Sequence, residues 1–310
     1  MKTYNANGKL LLTGEYLVLK GALALALPTK LGQSMTVETI NERHCERSET
    51  IHWHAYQPNG PWFTATLNPE TFEVIECDDQ PKAEKLSQIL KAVNELNPKA
   101  FMSGLCFETH LDFNPEWGLG SSSTLIANLA QWAEVNPYKL LKMTFGGSGY
   151  DIACANAQSP VFYQLENDEP QIHPVAFDPA FADHLFFVYQ GQKQRSSQEV
   201  KSFNERMLEY DCHHDVEAVS EISRTFPNIT TIDDFQRFMD IHEDILAHCL
   251  DRKPVKSFFP DFEGSLKSLG AWGGDFLLAA TKWSFDQVKA YFHSKGLDTI
   301  FKYHELYGSK

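Results

Sequence analysis

The chain has 310 residues, 43 % of them hydrophobic and 22 % charged, with a formal net charge of −14. That length exceeds one ordinary domain and suits two of roughly 100–200 residues each; the acidic balance, with no Lys/Arg stripe, excludes a nucleic-acid surface and leaves any anionic ligand to local donors. No stretch approaches the roughly 20 apolar residues of a membrane span, and no basic start leads into an apolar core and a cleavage site, so the chain reads as cytoplasmic, with no membrane partner.

Residues 8–40 read as strand, turn, strand, from "KLLLTGEYLVL" through "KGALALALP" to "LGQSMTVET". A meander follows over 51–77, where "IHWHAY" and "WFTATL" flank the turn "QPNGP". In "PKAEKLSQILKAVNELNP", Leu86, Leu90, Val93 and Leu96 recur at helical spacing between Pro81 and Pro98. "GLCFETHL" is a strand, and it feeds the Gly-rich stretch "PEWGLGSSST" at 115–124, then a helix with Leu125, Leu129 and Trp132 on one face. After a short helix around Pro137 to Met143 comes a second Gly-rich loop, "TFGGSGYDIACANAQSP", and the strand-like "VFYQL".

The acidic "LENDEPQIHP" at 165–174 is the expected connection between halves. Beyond it lie the strand "HLFFVYQ", helices over 198–210 and 232–250, the strand-like "GGDFLLAAT", and a helix opened by the capping box Ser284 to Gln287. "DCHHD" at 211–215 reads as a solvated turn, and His242 and His248, six apart, as surface or packing residues. The six cysteines, Cys45, Cys77, Cys106, Cys154, Cys212 and Cys249, form no CxxC pair, so reduced thiols are expected rather than disulfides or structural zinc.

Chemistry concentrates in the Gly-rich loops. A helix N-terminus exposes unpaired N–H groups and a partial positive charge, and glycines ahead of it let a phosphate approach. "GLGSSS" adds hydroxyls suited to phosphate or Mg²⁺, without the spacing or lysine of a Walker A loop. A Ser-rich N-cap after a tight turn is the other reading of this loop alone.

Three segments in order resemble motifs of the GHMP kinases, the superfamily of galactokinase, homoserine kinase, mevalonate kinase and phosphomevalonate kinase. "ANGKLLLTGEYLVLKGALALALP" at 6–28 is similar to the N-terminal Ala-Pro-Gly-Lys segment, with Asn7 in place of proline. "PEWGLGSSS" is similar to the phosphate loop, with Trp117 where a small residue is common. "KSLGAWGGDF" at 267–276 is similar to the C-terminal Gly-rich motif, with Trp272 and Asp275 replacing glycines.

The resemblance implies an α+β, two-domain GHMP kinase fold: an ATP-binding domain over 1–170 like the second domain of ribosomal protein S5, a ferredoxin-like domain over 171–310, and an active site between them. It implies transfer of the γ-phosphoryl group of ATP, with Mg²⁺, to a small mevalonate- or phosphomevalonate-like acceptor. On matching positions, Asp151 in "GSGYDIA" is the catalytic aspartate and Lys9 its partner; Gly118, Leu119, Gly120, Ser121, Ser122, Ser123, Gly270, Gly273 and Gly274 line the ATP phosphates. Ser122 is the expected metal hydroxyl, with Glu134 as second metal ligand and Glu15 as the other acid on a motif segment, because the helix before the aspartate loop lacks the acid that mevalonate kinases place there. Glu15, Ser148, Lys193 and Arg195 are the expected acceptor contacts, with a solvated loop as the other reading of the last two; Asp275 would repel ATP unless its carboxylate turns away from the phosphates, the expected case, caps a backbone group or meets Mg²⁺. A diphosphomevalonate decarboxylase-like enzyme and a non-catalytic ATP- or metabolite-binding relative stay open as alternatives.

Overall fold

The computed structural model describes residues 2–39, 50–101, 104–192 and 196–308. The chain divides into two compact units interleaved along the sequence: Met1–Gly8, Leu31–Pro115 and Gly120–Asn156 form the first, and Lys9–Lys30, Glu116–Leu119 and Ala157–Lys310 the second. Two long strands, β1 (Lys2–Thr13) and β2 (Ala24–Thr39), contribute residues to both.

In the first unit, β3 (Ile51–Gln57), β4 (Gly60–Leu67), β5 (Val74–Cys77) and β6 (Leu105–Leu111) join the C-terminal half of β2 in the order β5-β4-β3-β6-β2. The β3–β6 pair is parallel and the rest antiparallel. The helices are α1 (Gln80–Leu96), α2 (Ser121–Ala133), α3 (Pro137–Thr144) and α4 (Tyr150–Asn156). Alternation along β3 sends Ile51, Trp53 and Ala55 into the core. There Trp53 stacks on Phe107 at 5.1 Å and Phe107 meets the edge of Trp132 at 4.9 Å. Asp79 caps α1 by accepting from the Lys82 N–H at 3.1 Å, and Leu86, Leu90 and Val93 face inward as their spacing predicts.

In the second unit, β7 (Val161–Glu166) pairs with the start of β2 and with β8 (Glu169–Pro174). The other elements are β9 (Leu185–Tyr189), α5 (Ser196–Arg206), α6 (His213–Thr225), α7 (Ile232–Leu250), β10 (Ser265–Leu269), β11 (Phe276–Ala280), α8 (Phe285–Ser294), β12 (Ile300–Lys302) and α9 (Tyr303–Leu306). Their sheet is antiparallel in the order β10-β11-β9-β12. A strand, helices, two hairpin strands, a helix and a strand in that order give the ferredoxin-like arrangement. Phe186, Val188, Leu266, Leu277 and Phe292 are buried in its core.

Four local expectations change. Leu17–Lys20 is a 3₁₀ turn rather than strand, because Gly14 and Gly21 take φ of +89° and +88° and the Val18 N–H donates to the Gly14 carbonyl at 2.9 Å. Residues 165–174 are not a linker but the turn and second strand of the β7–β8 hairpin. α4 begins within the second Gly-rich loop. "DCHHD" opens α6, whose buried face includes two serines: Ser220 Oγ accepts from the Leu23 N–H at 2.9 Å and Ser223 Oγ donates to the Leu23 carbonyl at 2.7 Å. Serines in place of apolar residues hid that helix from a hydrophobic-period reading. The capping box of Ser284 and Gln287 is present. All five described cysteines are free, and no helix among the described residues is long and apolar enough to cross a membrane.

Candidate functional site

The Gly-rich loop is seated at both ends. In the second unit, Trp117 meets Phe301 edge-on at 5.1 Å and Phe276 at 6.4 Å, and Tyr189 Oη donates to the Glu116 carbonyl at 3.0 Å. The bulky residue at 117 therefore anchors the loop on the sheet. In the first unit, α2 is held to β2 by Thr124 Oγ1 donating to Gln33 Oε1 at 2.9 Å and Asn128 Nδ2 donating to the Gln33 carbonyl at 3.0 Å. The N-cap of α2 is Gly120, at φ +95°, which has no side chain with which to cap. Ser123 Oγ turns back onto the Gly120 carbonyl at 2.9 Å, whereas Ser121 is half-buried and Ser122 exposed. A first turn without a side-chain cap, bearing an exposed hydroxyl, is suited to an anion or to a metal that accompanies one.

Three distant stretches of sequence meet in the second unit. The Lys9 N–H donates to the Leu119 carbonyl at 2.9 Å, which binds β1 to the loop. The hairpin loop between β10 and β11 brings Gly270 and Gly273 at φ of +69° and +88°. A Cβ on Gly270 would lie 4.0 Å from Lys9 Nζ and 3.6 Å from Asp275 Oδ2. A Cβ on Gly118 would lie 2.3 Å from Asp275 Cγ and 2.4 and 2.6 Å from its two oxygens. Asp275 thus faces the Gly-rich loop, correcting the expectation that it turns away. The cause is its backbone: φ is +54°, the N–H donates to the Gln192 carbonyl at 2.9 Å, and the carbonyl accepts from the Gln190 N–H at 2.8 Å. Gly274 lies in the same turn, its carbonyl taking Gln190 Nε2 at 2.6 Å. Trp272 is buried; its N–H donates to Tyr16 Oη at 3.2 Å and its carbonyl takes Arg252 Nη1 at 2.9 Å.

Beneath this hairpin loop in sequence, Lys267 enters a buried charge cluster. It pairs with Glu15, and its Nζ also donates to the Ser268 carbonyl at 2.9 Å. Glu15 and Lys267 are 1 % and 0 % exposed, so Glu15 is a core ion-pair residue and not the expected acceptor contact. His242, also wholly buried, accepts from the Gly14 N–H at Nε2, 3.0 Å, with Glu15 Oε2 3.5 Å from the same nitrogen. Nε2 is therefore bare and Nδ1 carries the proton, without a hydrogen-bond partner among the described residues. Burial, reinforced by Lys267, holds His242 well below its usual pKa, so the ring is neutral.

Burial pushes both carboxyls of the cluster up, opposed in each by Lys267, Glu243 to about 7. Both oxygens of Glu243 accept hydrogen bonds: Oε1 from the Val255 N–H and Ser268 Oγ, Oε2 from the Ser268 N–H, all at 3.1 Å. Glu15 Oε2 accepts none among the described residues. One lysine faces two carboxyls, and burial favours the protonated form of each against the pull of Lys267. The spacing of His242 and His248 gave no hint of the cluster, which forms only when Gly14–Glu15, α7 and β10 come together.

Asp151 lies in the first turn of α4, half-buried, with the Ile152 N–H donating to its Oδ1 at 3.0 Å. Tyr138, whose phenol is pushed up by burial and then by the Asp151 charge, lies within its field. Ser148 is half-buried in the loop ahead of it. Glu134 is the C-cap of α2, a helix of 13 residues that opens at Ser121. At 1.5 Å per residue that is about 18 Å from the hydroxyl of Ser122, whereas ligands of one Mg²⁺ each sit about 2.1 Å from it, so Glu134 does not share a metal with Ser122. Lys193 and Arg195 lie outside the described residues. Among the described residues no group of three or more His, Cys, Asp or Glu could hold a metal ion. A cavity of about 530 Å³ in the second unit shares Trp272 and Gly273 with the hairpin loop and is lined also by Arg252, Lys253, Phe258 and Phe259.

The sequence matches no family model and no curated protein. Solved structures resemble it over nearly its whole length. A mevalonate kinase from Methanococcus jannaschii superposes with a TM-score of 0.67 at 14 % identity, covering 97 % of this chain and 96 % of that one. A phosphomevalonate kinase from Streptococcus pneumoniae, in complex with phosphomevalonate and AMPPNP, gives 0.70 at 15 % identity over 97 % and 100 %. A galactokinase from Lactococcus lactis, complexed with galactose, gives 0.65 at 11 % identity over 97 % and 92 %. At such identities the likeness is one of fold, and it is the two-domain α+β fold that the three motifs implied.

Proposed function

We propose that this chain, which has the fold of the GHMP kinases, is an ATP-dependent kinase that phosphorylates a hydroxyl of a small mevalonate- or phosphomevalonate-like acceptor. The observation that carries the reading is the meeting of Lys9, the Gly118–Leu119 end of the Gly-rich loop and Gly270, three motif segments far apart in sequence. A fold alone hosts many activities; motif residues gathered by it argue for this one.

In this reading the backbone of Gly118 to Ser123 and the turn of Gly270, Gly273 and Gly274 cradle the triphosphate. The Asp151 carboxylate takes the proton of the acceptor hydroxyl as that oxygen bonds to the γ-phosphorus and the bond to the β-phosphate oxygen breaks, releasing ADP. Lys9 stabilises the charge that gathers on the transferred group. Mg²⁺, with Ser122 as one holder, neutralises phosphate charge when bound. At the cavity Arg252 is already paired with Glu199 at 2.7 Å, and Lys253 is the lining cation that favours an anionic acceptor over a neutral sugar.

The test is ADP release with Mg-ATP against mevalonate, phosphomevalonate, diphosphomevalonate, homoserine and galactose, beside Asp151→Ala and Lys9→Ala. One acceptor should turn over, with loss of about 10²–10⁴-fold in Asp151→Ala. Turnover that survives Asp151→Ala overturns the base assignment, and CO₂ released with ADP identifies a decarboxylase instead.

A further inference from the structure

We propose that Asp275 is a metal ligand of the nucleotide site: its carboxylate holds the magnesium ion that arrives with the triphosphate. The proposal rests on the kinase reading above and goes beyond it, because no residue has yet been assigned the acidic metal contact. Glu134 is removed from that role by the length of α2, and no protein-only metal cage exists among the described residues. Mg²⁺ characteristically binds through one or two carboxylates with substrate phosphates and water supplying the rest. One carboxylate at the phosphate loop is what such a site requires.

Asp275 meets that requirement on three independent counts. Its carboxyl atoms fill the space beside Gly118 so closely that a Cβ there would come within 2.3 Å of Cγ. Its φ of +54° is a left-handed conformation that non-glycine residues adopt at a cost, and such outliers collect at ligand-binding sites. Its N–H and carbonyl are both tied to the strand extension at Gln190 and Gln192, so the backbone cannot carry the side chain away when a ligand enters.

A fixed carboxylate and a triphosphate repel each other at this range. They share the loop when cations stand with them. Lys9, with Nζ 4.0 Å from the same Gly270 Cβ position that Asp275 Oδ2 approaches at 3.6 Å, supplies one charge. A dication supplies the remainder. The arrangement makes nucleotide affinity depend on the metal more steeply than a glycine or asparagine at 275 would.

The experiment measures AMPPNP affinity calorimetrically, with Mg²⁺ and with EDTA, for the unaltered protein and for Asp275→Asn. The unaltered protein should bind the magnesium complex more tightly than the free nucleotide by about tenfold or more, the scale on which losing a group that supports a metal changes its affinity. In Asp275→Asn that ratio should collapse toward one, with free AMPPNP binding more tightly than before. Asp275→Cys adds a signature that a folding defect cannot imitate: tight AMPPNP binding supported by Cd²⁺ and not by Mg²⁺. A magnesium ratio unchanged in Asp275→Asn overturns the proposal alone, as does an equal tightening of both nucleotide forms. No AMPPNP binding to the unaltered protein, with or without metal, overturns the kinase reading and the proposal together.

Discussion

The side chain of Asp275 occupies the space that a side chain on Gly118 would need, each carboxyl atom lying 2.3–2.6 Å from that Cβ position. Gly118 also sits at φ +69°. Gly118→Ala should therefore cost about 1–3 kcal/mol, from left-handed strain and from displacing the carboxylate. Part of that cost should vanish in the double variant with Asp275→Gly, which frees the space. Urea midpoints of the four proteins measure the coupling, expected at about 1 kcal/mol. Strict additivity would show that the two residues do not press on each other.

Protonation of Glu15 makes a second expectation. Its ordinary value is 4.5 and burial raises it in the folded protein, to about 7. Between those values the folded state holds a proton that the unfolded state has lost, so this group's contribution to stability is full below pH 4.5 and falls as pH rises toward 7. Glu15→Gln keeps the neutral form throughout. The stability difference should move in the variant's favour between pH 5 and pH 8, by up to about 3 kcal/mol. His242, depressed by burial, acts in the opposite sense in both proteins and largely cancels in the comparison. A difference independent of pH would place the proton elsewhere, with Glu243 the first candidate.

Lys267 and Lys282 both pair with acids but should differ severalfold in what truncation costs. Lys267→Ala leaves Glu15 and Glu243 buried without their cation and should cost about 3–5 kcal/mol. Lys282, 63 % exposed beside Asp233, should give up about 0–1 kcal/mol. Equal losses in chemical denaturation would refute the distinction.

Trp117→Ala tests the anchor of the Gly-rich loop. Losing the edge contacts to Phe301 and Phe276 should destabilise the protein by about 1–3 kcal/mol, the side chain being only half-buried. AMPPNP should bind more weakly as the loop loosens. Unchanged nucleotide affinity at reduced stability would separate the anchor from the site.

Much of the scaffold was legible because local rules agreed with the final packing. The helix at 80–96 announced itself through Leu86, Leu90 and Val93, and Ser284 with Gln287 marked the start of α8. The Gly-rich segments likewise pointed to turns that only glycine fits easily. The rest depended on contacts between residues distant in sequence. Nothing near Glu15 announces that its carboxylate meets Lys267, and nothing near Asp275 announces Gly118, because each relation is created by tertiary folding. α6 was missed for another reason: two of its buried positions are serines, which satisfy the backbone of Leu23 instead of joining an apolar stripe.

The interleaving of the two units bears on how the chain is made. Glu15 leaves the ribosome 252 residues ahead of Lys267, the cation it needs when buried. At 5–20 residues per second the wait is about 13–50 s. At the start of that interval the segment Lys9–Lys30 emerges with the Ala157–Lys310 part of its own unit still unsynthesised. A ribosome stalled anywhere before β10 therefore displays a nascent chain whose second unit lacks its charge partner, its hairpin loop and three of the four strands of its antiparallel sheet. Such a chain is a natural client for holding factors, and a single cut after Asn156, which keeps every segment of the first unit together, strips the second of Lys9–Lys30 and Glu116–Leu119.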